Sequence, residues 1–392
     1  MMHLFINSLA ASVGGGLTYI RNVLPHLAAV PELRVTVALG RGLREEFGEF
    51  TNIEYLEMEI PPARRFWYEQ SHLPGVIRRS GADVLLSAGN FALRNSPVPQ
   101  VLLSRNSVYT SADFYRDLRA RHEYGVWLDT KVRAVLAKRS IQWADITVAP
   151  SEAFAAELRC WTGRPVQAIY HGFDHHAFSR DSSPLAAEVE EKLRSAEGSL
   201  KLLFVSHYNY YRNFETLLRA LPAVQKLSGR SVKLLLTCKL RAEETPGSYR
   251  PETAAKLVKD LGISDMVVEL GAIPYQRLHH LYRRADMYVT PAYTETFAHP
   301  LVEAMASGLP VVASDLAVHR EICGEAASYF QRFSTDALAE CVIQLGGSPG
   351  KSRRMAAAGL ERSRQFSWKT HVENILRLAG TLISSKAARV AA

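Results

Sequence analysis

Cysteine is scarce in this chain of 392 residues: there are four, Cys160, Cys238, Cys323 and Cys341, with no Cys-x-x-Cys pair and no histidine nearby at zinc-binding spacing. A disulfide scaffold and a structural zinc site are both excluded, and such usage fits reduced thiols in a cytoplasmic setting. No run of about 18 uninterrupted apolar residues occurs, so nothing reads as a membrane span. The start, Met1 to Ala11, is too short and too uncharged for a secretory leader, and Gly14 to Gly16 interrupt it. Low-complexity tracts are missing, as are a G-x-x-x-x-G-K-[ST] phosphate loop, the G-x-G-x-x-G dinucleotide fingerprint and an Asp-x-Asp metal motif. The formal charge of +8 is spread over the chain. With no clustered basic and aromatic face, nucleic acid is not an expected partner. The densest basic stretch runs from Arg116 to Arg139, and it reads either as an anionic membrane contact or as a solvated helix face.

What is present is a globular composition, 47% hydrophobic and 22% charged, in a chain of the length expected for two domains. Short apolar runs alternate with helical patterns. Strands are expected at His3 to Asn7, Val35 to Leu39, Asp83 to Ser87, Gln100 to Ser104 and Ile146 to Ala149. A polar, acidic stretch then intervenes. The pattern restarts with strands at Lys201 to Val205, Val232 to Thr237, Val267 to Leu270, Met287 to Thr290 and Leu309 to Ala313, with helices between them. Continuous apolar strands alternating with helices imply parallel sheets buried on both faces. The expected architecture is α/β, two doubly wound Rossmann-like domains facing across a cleft, with ligands beyond the carboxyl ends of the strands. The boundaries expected are an N-terminal domain over 1–178, a linker over 179–200, a second domain over 201–366 and a C-terminal helix over 367–392.

Three loops carry candidate chemistry. Tyr293 to Pro310 follows a strand; Pro300 suits a first helical turn and Gly308 suits a left-handed helix stop, so Pro300 to Ser307 reads as a short helix. Glu303 is expected in its first turn and Glu295 in the loop before it. Two carboxylates over one helix start suit the vicinal hydroxyls of a sugar, although the same spacing also arises as dipole compensation plus a surface residue. Gly14 to Gly16, between the first strand and the first helix, offers bare backbone to a phosphate. Ser206 to Asn213 places His207 and Arg212 between a strand and a helix, where a guanidinium can fork onto two phosphate oxygens. Tyr208, Tyr210 and Tyr211 of that loop read as packing.

Taken in order, these segments resemble the retaining glycosyltransferases of family 4, which have the GT-B fold. Ala149-Pro-Ser151 and His171-Gly-Phe-Asp174 resemble two further segments of the family, and Tyr293 to Pro310 resembles its E-x7-E signature. The resemblance implies transfer of a sugar from a nucleotide-sugar donor to a glycan, lipid-linked or small-molecule acceptor, with no cofactor and no metal. It implies that Glu303 holds the ribose and that Glu295 with the N–H groups of Phe297 and Ala298 holds the transferred sugar. Gly15 and Gly16 would meet the distal phosphate, and Ala272 and Ile273 the base. His207 and Arg212 replace the usual arginine and lysine, His207 being cationic only if its pKa is raised. Thr296 and Ala298 stand where glycines are common, and Arg105 and Asn106 stand where a His-Asp pair is common on the acceptor side. Other readings of the same residues are a nucleotide-sugar 2-epimerase and a non-catalytic partner that binds nucleotide sugar.

Overall fold

A computed structural model describes residues 1–11, 15–242 and 249–391, so Gly14 lies outside the described residues. The chain divides into two compact units. The first comprises Met1–Thr110, Leu128–Gly172 and Ser367–Ala392, and the second Ser111–Trp127 and Phe173–Phe366.

The first unit is built on a sheet of seven strands: β1 (Met2–Asn7), β2 (Leu33–Gly40), β3 (Ile53–Met58), β4 (Val84–Ser87), β5 (Gln100–Leu103), β6 (Ile146–Ala149) and β7 (Val166–Ala168). They are all parallel, in the order β3-β2-β1-β4-β5-β6-β7. The inner strands are apolar on both faces because helices cover both. Edge strand β3, Ile-Glu-Tyr-Leu-Glu-Met, is half exposed and interrupted by charge, and so it was not anticipated. The final helix, Trp368–Ala391, adds Trp368, Val372, Ile375 and Ala379 to the core formed by β1, β2 and the first helix, Gly15–Ala28. Tyr19 and His371 meet at 3.0 Å in that core. Gly172 has a steric reason: a Cβ there would overlap the backbone nitrogen of Trp368.

The second unit repeats the topology with six parallel strands: β8 (Leu200–Phe204), β9 (Val232–Leu236), β10 (Val267–Glu269), β11 (Met287–Thr290), β12 (Val311–Ser314) and β13 (Ala327–Phe330). Their order is β10-β9-β8-β11-β12-β13. Each sheet therefore has one place where the connections leave in opposite directions, between β1 and β4 and between β8 and β11. Crevices form beyond the carboxyl ends of such strand pairs.

Two boundaries need correction. The expected linker over 179–200 belongs to the second unit, where the helix Ala187–Ser195 buries Val189 and Leu193, and Lys192 donates to the Glu269 carbonyl. Its polarity reflects the outer face of a docked helix. Within the expected 1–178 domain, Ser111–Trp127 also groups with the second unit. There Arg121 pairs with Asp117 at 2.8 Å and Glu215 at 2.9 Å, and Tyr293 Oη donates to Asp117 at 2.8 Å. Long-range pairing of this kind leaves no periodic trace in a sequence.

Candidate active site

In the second unit the two loops at the switch point are β8 to Phe214 and β11 to His299. They are tied together by backbone and side chain: Tyr293 N–H donates to the Tyr211 carbonyl at 3.0 Å, and Asn213 Nδ2 donates to the Pro291 carbonyl at 3.0 Å. Asn213 can do this because it adopts a left-handed conformation, φ 56°, which asparagine tolerates better than most residues. Its Oδ1 in turn accepts from Thr216 at 2.8 Å. The tie aligns Arg212 with Glu295, and the two form an ion pair between half-buried side chains. Arg212 Nε remains buried without a hydrogen-bond partner.

Tyr208 and Tyr210 are fully buried packing residues, donating to Glu215 and Glu123. His207 is exposed on the same loop. Desolvation and the Arg212 charge lower its pKa. In the ligand-free chain the shift favours the neutral imidazole, which can still hydrogen-bond.

The acidic signature folds as a loop followed by the helix His299–Ala306, with Pro300 in its first turn. A Schellman closure ends it, Leu309 N–H donating to the Ala304 carbonyl and Gly308 N–H to Met305, with Gly308 at φ 67°. Glu303 lies beyond the first turn and faces inward, which corrects the expectation that it would sit over the helix start: it is 4% exposed. Tyr282 Oη donates to it at 2.7 Å. Burial pushes the Glu303 carboxyl up to about 7, against the opposing effect of that hydrogen bond. Burial, and after it the Glu303 and Asp174 charges, raise the phenol of Tyr275, which follows Ala272 and Ile273 in the loop after β10. Phe297 is buried against Phe366 and His299, and Ala298 caps the helix at φ 63° and ψ 66°, a left-handed conformation for a residue with a Cβ.

His319 lies in the helix Ala317–Cys323, which follows β12. Its Nδ1 is 2.9 Å from the Ser314 carbonyl, its Nε2 is buried without a partner, and burial holds its pKa down at about 4. Sequence pattern did not point to it, or to Tyr282, because each is one polar residue among several in an ordinary short helix.

The first unit shows a parallel construction. Gly15 and Gly16 begin the first helix. Arg105 donates to the Gly15 carbonyl at 2.9 Å and the Ala88 carbonyl at 2.7 Å, joining the loops after β1 and β4, and its guanidinium lies over the Tyr19 ring. Burial lowers its pKa to about 10. Asn106 caps a short turn by accepting from Val108 N–H. Both acceptor-side candidates thus hold backbone in place. Glu69, 4% exposed and 3.9 Å from Arg65, has a carboxyl pushed up to about 7, first by burial.

Among the described residues no group of three or more His, Cys, Asp or Glu side chains is arranged to hold a metal ion. No helix among them is long and apolar enough to cross a membrane.

Two Rossmann-ordered sheets, the second bearing an ion-paired arginine and glutamate at its switch point, define the GT-B class of fold. The chain belongs to the family 4, group 1 glycosyltransferases: the Glycosyltransferase Family 4 model matches residues 13–177 and the Glycosyl transferases group 1 model matches residues 186–362. It is similar to a D-inositol 3-phosphate glycosyltransferase of Nocardia farcinica, 28% identical over 48% of this chain and 42% of that protein. The O-antigen chain mannosyltransferase B of Escherichia coli is 33% identical over 26% of each chain. The matches span about half the length of the D-inositol 3-phosphate glycosyltransferases. Among solved structures, sucrose-phosphate synthase from Thermosynechococcus elongatus superposes with a TM-score of 0.77 at 18% identity, covering 98% of this chain and 100% of that one. Anabaena HepE in complex with UDP-glucose gives 0.70 at 17% identity, covering 97% and 100%. Family membership favours neither the epimerase nor the silent-partner reading.

Proposed function

We propose that the chain is a retaining, metal-independent glycosyltransferase that moves a hexosyl group from a nucleotide diphosphate sugar to a glycan, lipid-linked or small-molecule acceptor in the cytoplasm. The observation that carries this reading is the Arg212–Glu295 ion pair between the switch-point loops, with Glu303 buried on the helix that follows the Glu295 loop. The binding of UDP-glucose by HepE, of similar fold, supports a nucleotide-sugar donor.

In this reading Ala272 and Ile273 face the base, Glu303 accepts from the ribose hydroxyls, and Arg212 and the neutral His207 meet the diphosphate. Glu295 and the backbone of Phe297 and Ala298 position the sugar, while Gly15 and Gly16 admit the distal phosphate. The acceptor oxygen bonds to the anomeric carbon on the face that the diphosphate leaves, and the acceptor proton passes to the departing phosphate oxygen. The protein's work is positioning the reactants and stabilising the growing phosphate charge.

The test is incubation with a panel of UDP, GDP, ADP and dTDP sugars, with and without EDTA, following nucleoside diphosphate release and anomeric configuration by NMR. Release with retention, unaffected by EDTA, is expected. Epimerised nucleotide sugar, inverted product, or EDTA inhibition reversed by magnesium would overturn the corresponding part of the reading.

A further inference from the structure

The helix Tyr124–Trp143 is packed inside out. From Leu128 onward it turns small residues, Ala134, Ala137 and Ser140, toward the first unit, together with Thr130 and Ile141. Its larger apolar residues point outward: Leu128 is 59% exposed, Val132 54% and Val135 61%. Leu128, Val132, Val135 and Arg139 follow spacings of four, three and four, so they form one stripe along the helix. Lys131 flanks the stripe and is exposed. The segment also carries Arg133 and Lys138; its one carboxylate between Leu128 and Trp143, Asp129, is engaged by Arg133 at 2.7 Å. Arg116 and Arg121, which belong to the same basic stretch in sequence, are paired with carboxylates of the second unit. The basic run thus divides into a structural half and an outward-facing half.

The inner face of this helix packs on Tyr109 with Phe91, and Phe91 meets Phe66 edge to face at 5.9 Å. Phe66 belongs to the helix Pro62–Ser71, which exposes its next residue, Trp67, by 72% and carries Arg64 and Arg65. Apolar anchors beside cations therefore recur on two helices joined by one aromatic cluster.

We propose that the outward stripe of Leu128, Val132 and Val135, with Lys131 and Arg139, docks on an anionic phospholipid surface. Exposed aliphatic side chains enter the headgroup boundary while cations meet lipid phosphate, the arrangement of an interfacial helix. Charge complementarity favours lipid over a second copy of this chain, because an isologous pairing would bring these cations together around one carboxylate already engaged. The proposal is independent of sugar transfer, since lipid binding needs no donor.

The test uses flotation of the full chain with vesicles of phosphatidylcholine alone and with about one third phosphatidylglycerol. Binding to the anionic vesicles only, weakened at about 0.5 M salt, is expected. The doubly substituted Lys131→Glu/Arg139→Glu chain should bind roughly tenfold or more weakly, and Val132→Asp/Val135→Asp at least as weakly. Both variants should retain wild-type thermal unfolding and nucleoside diphosphate binding, which separates failure at the membrane from failure of the proposed donor site. Absence of binding to anionic vesicles at low salt, binding as tight as wild type by either variant, or a solution dimer abolished by Val132→Asp/Val135→Asp would overturn the assignment.

Discussion

Arg212 and Glu295 are ion-paired across the two loops of the second sheet's switch point, so the groups proposed to meet the donor's diphosphate and its sugar neutralise each other in the ligand-free chain. A diphosphate approaching Arg212 must compete with Glu295. The pair links the two loops, and in the proposed reading it gives way on donor binding to two new interactions, arginine to phosphate and carboxylate to hydroxyl.

The competition separates binding from turnover. In Glu295→Gln the guanidinium loses its internal partner, so nucleoside diphosphate is expected to bind as tightly as in wild type or up to roughly tenfold tighter, while transfer falls by about 100-fold. Arg212→Ala is expected to lose both. Calorimetry with UDP or GDP, paired with initial rates, checks this; weaker diphosphate binding in Glu295→Gln would show that the ion pair supports the site instead of competing for it.

The buried Glu303 carboxyl makes stability depend on pH. Its folded pKa of about 7 lies above the ordinary 4.5, mainly through desolvation. Its proton is held more tightly in the folded chain, so its contribution to stability is full below about 4.5 and is lost as pH rises through about 7. Glu303→Gln, which still accepts from Tyr282, is expected to match wild type near pH 5 and to exceed it at pH 8 by up to about 3 kcal/mol. Urea unfolding at the two pH values measures the difference. If Glu303 holds the ribose as a carboxylate, donor affinity rises with pH through the same range in wild type and stays flat in the variant.

The sheets and the acidic loop were legible because they obey local rules. Leu-Lys-Leu-Leu-Phe at β8 is a short apolar run recurring between helical patterns, which reads as a buried strand, and Pro300 and Gly308 bracket a helix by their own backbone preferences. What the sequence could not show are relationships fixed by the third dimension. The inward turn of Glu303 depends on Tyr282, 21 residues away, and the attachment of Ser111–Trp127 to the second unit depends on Glu215 and Tyr293. Arg105 looked available for a ligand because its two carbonyl partners, of Gly15 and Ala88, carry no side-chain signature.

The glycine loop offers a test in which stability and binding move apart. A Cβ at Gly15 would meet nothing within 4 Å, whereas one at Gly16 would lie 3.1 Å from Ala11. Gly15→Ala is therefore expected to unfold within about 0.5 kcal/mol of wild type. If a phosphate approaches this backbone, the added methyl weakens donor binding by roughly tenfold or more. Gly16→Ala should lose stability by about 1 kcal/mol or more through overpacking. Denaturant unfolding and donor titration of the two variants decide the matter; unchanged donor binding in Gly15→Ala would remove this residue from the site.

Ala298 stands at the start of the helix His299–Ala306 in a left-handed conformation, φ 63°, where the Cβ crowds the following carbonyl. That conformation costs a non-glycine residue about 1 to 2 kcal/mol, and glycine gives back about 0.5 to 1 kcal/mol through its greater freedom when unfolded. Ala298→Gly is thus expected to stabilise the chain by up to about 1 kcal/mol, and Ala298→Val, with a β-branched side chain, to destabilise it by more than 2 kcal/mol. Urea midpoints of the three proteins rank them, and a glycine variant less stable than wild type would mean that the helix start is not left-handed in solution. The same substitution bears on donor selection, because a loop freed of this methyl can move its Phe297 and Ala298 N–H groups relative to Glu295. A change in preference among nucleotide sugars, with Glu303-dependent nucleotide binding unaltered, is the expected kinetic signature.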